Sequence, residues 1–305
     1  MKKFFAILAA FLLLSIMACS SGGDSGRSNE NSDQLSVSAQ TVAADSKVLI
    51  FAIDGLDFDR TYKGLLSNAD FNYPARVEYL CSGILEANVL NIKKDDCYSF
   101  RGTKPDESWS GDATQTFDYL DELILDLAQK AQQAKNEGKK FIVVTHSWGT
   151  QLGTLGLSLS GVEPDLFITL SDPEGSTYVD AASYTNEFFK VIPPLSVSSA
   201  ETLVWDLTRI YGVGALSSIN VKTKKWINYW DVGDIISGPL KSIHISNSIE
   251  DRTVIDCTER NYETTKKVHS ITSLNESFWT EENGVSQEIG KTFRNRVISD
   301  IIQAM

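Results

Sequence analysis

The chain is short of histidine, cysteine and positive charge. Its 305 residues include three histidines, His146, His244 and His269. Four cysteines stand apart from one another, with no Cys-x-x-Cys pair and no histidine cluster beside them. That leaves no ligand set for a metal, and no metal or cofactor is expected. Basic residues number 28 against 40 acidic ones, a formal net charge of −12. An acidic surface repels phosphate backbones, which argues against nucleic acid as a partner. No internal repeat is visible, so a solenoid or propeller is not expected. The longest apolar run, Phe4 to Met17, is too short to cross a bilayer comfortably.

Lys2 and Lys3 precede that run, and it closes on Ile16-Met17-Ala18-Cys19. A basic start, an apolar middle and small residues at the end make a secretory signal peptide over residues 1–18. Cys19 after a small residue resembles a bacterial lipobox. That resemblance implies lipid attachment at Cys19 and anchoring in a membrane through acyl chains. The domain would then lie in the cell envelope. Ser20, standing where inner-membrane proteins carry Asp, implies the outer membrane if the cell is Gram-negative. Residues 19–44 begin Ser20-Ser21-Gly22-Gly23-Asp24-Ser25-Gly26 and cannot bury apolar surface, so they read as a flexible tether. Losing Lys2 and Lys3 leaves 26 basic against 40 acidic residues, a net of −14. An oxidising compartment permits a disulfide among Cys81, Cys97 and Cys257. Cys81 with Cys97 is preferred because both lie in one connection; the other pairings stay open.

Residues 45–305 suffice for one large domain. Val48-Leu49-Ile50-Phe51-Ala52-Ile53 is an unbroken apolar run, as in a strand buried on both faces. Further strands are expected over Ile84 to Ile92, Phe141 to Thr145, Asp165 to Leu170, Trp226 to Trp230 and Arg252 to Cys257. Helices are expected from Asp112 or Thr114 to Glu137, from Gly149 to Leu159 and from Val285 to Ile302. In the first of these Phe117, Leu120, Ile124, Leu127 and Ala131 share a face, and Gly138 closes the helix. Strands alternating with helices imply an α/β fold, a mostly parallel sheet flanked by helices. Residues 175–218 include Phe188, Phe189, Trp205 and Tyr211, too apolar for a solvated loop, and read as a helical cap insertion over the carboxyl edge of the sheet.

Thr145-His146-Ser147-Trp148-Gly149 joins a buried strand to a helix. It resembles the nucleophile elbow of the α/β-hydrolase superfamily, and of its lipases and esterases in particular, with Thr145 in place of the usual first glycine. The resemblance covers nearly all of residues 45–305 and implies that Ser147 is a nucleophile. Such a serine needs a base. His269, after the last strand, is where this family carries it; His244 is the rival, and His146 reads as packing. Asp234, in Asp231-Val232-Gly233-Asp234-Ile235-Ile236, resembles the lipase acid, with Asp231 and Asp172 as rivals. The chain order Ser, Asp, His is that of the family. The oxyanion hole would be the backbone N–H groups of Trp148 and of Leu56, in the turn after the first strand. Asp54 stands there where lipases show His, and a carboxylate beside an oxyanion is unfavourable unless turned away or paired, with Arg60 as a candidate partner.

The resemblance implies cleavage of a carboxylic or lipid ester through an acyl-enzyme. An acyltransferase on the same triad, and an inactive ligand-binding lipoprotein with a hydrolase fold, are the alternatives. The N-terminal reading makes a direct prediction. Protein extracted from membranes should begin at Cys19 and carry added lipid mass; a species of unmodified mass starting elsewhere refutes it.

Overall fold

Six strands rich in β-branched and aromatic residues form one sheet, and every pair in it is parallel. The computed structural model describes residues 46–55, 78–88, 92–100, 120–172, 220–234, 237–241, 247–255, 257–259 and 262–305. Cys19 with its tether, Leu56, Arg60, His244 and the 175–218 segment lie outside the described residues, as does the start of the helix expected from Asp112 or Thr114.

The elements run β1 (Val48–Ile53), α1 (Tyr79–Glu86), β2 (Cys97–Phe100), α2 (Leu120–Asn136), β3 (Lys140–His146), α3 (Trp148–Ser160), β4 (Leu166–Leu170), β5 (Trp226–Trp230), β6 (Ile249–Thr253), α4 (Tyr262–Thr272) and α5 (Gln287–Ala304). The spatial order is β2-β1-β3-β4-β5-β6. The chain leaves β1 toward one edge and returns on its other side with β3, so the order reverses between β1 and β3. In open parallel sheets that reversal opens a crevice at the carboxyl ends of the two strands.

Successive side chains of a strand face opposite ways, and here both faces are covered. Val48, Ile50 and Ala52 of β1 belong to a core with Leu80 and Ile84 of α1, Val268 and Ile271 of α4, and Phe293 and Val297 of α5. Leu49, Phe51 and Ile53 face the other way, onto Leu123 and Leu127 of α2 and Leu152 and Leu157 of α3. All six β1 side chains are buried, which is why the strand carries no polar alternation. Gly138, at φ 65°, follows the end of α2.

Three expected elements differ. Ile84 lies in α1, not in a strand: Leu80 and Ile84 are one helical turn apart and both are buried against the sheet. The strand of that connection is instead β2. The last strand is Ile249–Thr253, earlier than the expected Arg252 to Cys257. It lies at the sheet edge and is only partly buried, so its apolar signal is weak. His269, placed after the last strand with no helix expected there, lies on helix α4.

Cys81 of α1 and Cys97 of β2 form a disulfide with Cα atoms 5.7 Å apart, and Cys257 is a buried thiol outside that bridge. The bridge closes a loop with a sequence separation of 16. A loop of that length is worth about 3 kcal/mol. The double variant Cys81→Ala/Cys97→Ala should therefore unfold roughly 6–12 °C lower than wild type. Thermal melts without reductant check this; an unchanged Tm refutes it.

Candidate active site

Two turns meet at the β1–β3 crevice. Ser147, between β3 and α3, has φ 51° and ψ −126°, a conformation that side-chain-bearing residues rarely adopt. The neighbouring chain is shaped around it. A Cβ on Gly149 would sit 2.3 Å from the Ile53 carbonyl oxygen and 2.5 Å from that of Asp54, so α3 starts in direct contact with the end of β1. The Thr145 methyl is met by Gly153, where a Cβ would lie 2.6 Å away. The small residue at 149 thus makes room for β1 rather than for Thr145. The Ser147 N–H donates to Leu170 O at 2.9 Å, tying the turn to β4. Trp148 opens α3, and its N–H is among the first-turn donors that have no partner within the helix.

Ser147, His269 and Asp234 are brought together. His269 Nε2 lies 3.1 Å from Ser147 Oγ, and Nδ1 lies 2.9 Å from Asp234 Oδ2. All three side chains are buried, Asp234 completely. Two helix contacts set this geometry. Thr264 Oγ1, in the first turn of α4, donates to Gly233 O at 2.7 Å, pinning the turn that carries Asp234. Trp279 Nε1 donates to Ser270 O at 3.0 Å, holding the helix just past His269. With Nδ1–H directed at the carboxylate, Nε2 is left to accept the serine proton.

The rival acids serve elsewhere. Asp231 accepts from the N–H groups of Gly233 and Ile255 at 2.9 and 2.8 Å, and burial raises its pKa against those bonds. Asp172 accepts from Gln151 Nε2 at 3.0 Å. Asp54 is turned away from Ser147. Its carboxylate accepts from Glu78 N–H at 2.9 Å, Leu80 N–H at 3.0 Å and Ser99 Oγ–H at 3.0 Å. The objection of a carboxylate beside an oxyanion is met by backbone and hydroxyl donors. Among the described residues no group of three or more His, Cys, Asp or Glu side chains could hold a metal ion.

His146, read from the sequence as packing, sits in a polar chain. Its Nδ1 lies 2.6 Å from Tyr79 Oη and its Nε2 3.1 Å from Thr272 Oγ1. Tyr79 and Thr272 carry no motif and escaped the sequence reading. The signal that could have found Thr272 is its i, i+3 spacing from His269, which has meaning only once that segment is known to be a helix.

Burial dominates at Asp54: despite three donors, desolvation raises its pKa from 3.8 to about 6. Folding therefore favours the protonated form. The contribution is fully present below about pH 4 and is lost, on the order of 3 kcal/mol, as pH rises through about 6. Urea unfolding of wild type and Asp54→Asn at several pH values checks this. The stability difference, wild type minus variant, should shrink by that order between about pH 4 and about pH 7; a pH-independent difference refutes it.

No protein-family model matches the chain, and no curated protein sequence matches it. Among solved structures, a protein of unknown function from Staphylococcus aureus subsp. aureus Mu50 aligns at 14% identity and a TM-score of 0.34, over 86% of this chain and 91% of that one. Phospholipase PlaB from Legionella pneumophila aligns at 15% identity and a TM-score of 0.30, over 66% of this chain and 46% of that one. Likenesses this distant carry no argument about activity.

Proposed function

We propose that the chain is a serine hydrolase that cleaves a carboxylic or lipid ester through an acyl-enzyme on Ser147. The observation that carries the reading is the hydrogen-bonded series Asp234–His269–Ser147, with spacings of 2.9 and 3.1 Å. It stands where the strand order reverses, the place at which parallel sheets bind ligands.

In this mechanism His269 Nε2 takes the Ser147 proton as Oγ attacks the ester carbonyl. Asp234 holds the ring and stabilises the imidazolium that forms. The negative oxygen of the tetrahedral intermediate is held by the Trp148 and Leu56 N–H groups. Collapse expels the alcohol, which takes the proton from His269, and water repeats the sequence to free the acid. An alcohol in place of water would make the same centre an acyltransferase. On this reading residues 45–305 are a domain held at the cell envelope by Cys19, with residues 175–218 as a cap over the crevice. An apolar cap suits a lipid or other hydrophobic acyl group.

A fluorophosphonate probe and a set of p-nitrophenyl esters graded by chain length test the reading. Wild type should label at Ser147 and turn over. Ser147→Ala and His269→Ala should each lose several orders of magnitude in kcat, and the double variant little more, because the groups act as a unit. Asp234→Asn should lose roughly 10⁴-fold. Absence of labelling refutes the reading and favours a binding protein.

A further inference from the structure

A buried chain of hydrogen bonds runs past Ser147 and meets the series just described only at the backbone of His269. Gly55 N–H lies 2.7 Å from Tyr79 Oη, and as an amide it can only donate. The tyrosine's own proton is then directed to His146 Nδ1, 2.6 Å away. Nδ1 is therefore an acceptor, and in a neutral ring the proton sits on Nε2, which donates to Thr272 Oγ1 at 3.1 Å. The Thr272 hydroxyl donates back into α4, at Val268 O (3.0 Å) or His269 O (3.2 Å). That leaves Ser171 Oγ, 3.0 Å away, to donate to Thr272. Donor and acceptor roles are consistent along the whole series, and all these residues are buried.

The two ends matter. Gly55 belongs to the turn after β1, next to Leu56. A Cβ on it would lie 3.0 Å from Ser147 Cβ. Thr272 lies one turn beyond His269 on α4. We propose that Tyr79 and His146 are positioning residues, whose hydrogen-bonded chain locks the turn beside Ser147 to the helix carrying His269. The inference rests on the serine-hydrolase reading. Oxyanion donors and base lose effect when displaced by fractions of an ångström, and they come from segments far apart in sequence.

A second property fits. The His146 and His269 rings are 5.2 Å apart. His269 becomes positively charged in each acylation, so a charged neighbour would oppose that step. Burial, and next the charge of His269, hold the His146 pKa well below its ordinary value, so His146 stays neutral.

Tyr79→Phe removes the hydroxyl alone. His146→Leu removes both ring nitrogens, and His146→Asn restores an acceptor near the Nδ1 position. With a p-nitrophenyl ester, Tyr79→Phe and His146→Leu should lower kcat roughly 10–100-fold, with KM changed by less than about two-fold. His146→Asn should recover part of the loss. Equal kcat in wild type and Tyr79→Phe, or a change confined to thermal stability, overturns the inference while leaving the parent reading intact. A wild-type Ser147 inert to fluorophosphonate overturns both. Nitrogen-15 NMR of the wild-type imidazoles applies even if a variant fails to fold. His146 should keep its proton on Nε2 from about pH 5 to about pH 8; a proton on Nδ1 overturns the chain.

Discussion

Ser147 holds a backbone conformation, φ 51° and ψ −126°, that would relax in an isolated peptide. Three neighbours keep it there. The Leu170 carbonyl takes its N–H. The end of β1 presses against Gly149, and Gly55 fills the space beside the Ser147 Cβ. Strain of this kind costs on the order of 1–3 kcal/mol and persists only where packing over-determines it. Here the packing comes from the paired cores on the two faces of the sheet. The reversal of strand order between β1 and β3 sets the two turns side by side, so the topology itself selects where a reactive side chain can be displayed.

Around that point polar groups are buried in numbers that would be costly if unmatched. Asp54 takes three donors, Asp231 is bonded by the Gly233 and Ile255 amides and the Cys257 side chain, and His146 has a partner on each nitrogen. Most of these bonds join segments distant in the chain: Asp54 links β1 to α1 and β2, the Ile255 bond of Asp231 links the end of β5 to the end of β6, and His146 links α1 to α4. These bonds give direction to the packing and fix the angles at which loops leave the sheet.

The legible parts of the fold were those with continuous local signals. β1 and the Phe141 to Val144 stretch of β3 stood out as unbroken apolar runs because both of their faces are buried. Ser147 and Asp234 could be placed at one edge of the sheet because each follows a buried strand, β3 and β5. What escaped depended on tertiary context. Ile84 sits in a short helix that packs as tightly as a strand would, and a short apolar run does not reveal which. His269 lies on α4, whose residues Thr264, Thr265 and Thr272 are weak helix formers; the helix is held by contacts to the turn after β5. Asp54 looked like an intruder because nothing local announces that Glu78, Leu80 and Ser99 would donate to it.

The disulfide has a consequence beyond cross-linking. Leu80 N–H binds the Asp54 carboxylate, Cys81 follows it in the chain, Cys97 is bonded to Cys81, and Ser99 two residues later returns a hydroxyl to the same carboxylate. Covalent and hydrogen bonds together close a small ring that starts and ends at the turn beside Ser147. In a reducing compartment the ring is open, and that turn is held by weaker bonds alone. The thiol chemistry of the surroundings is thereby transmitted to the crevice.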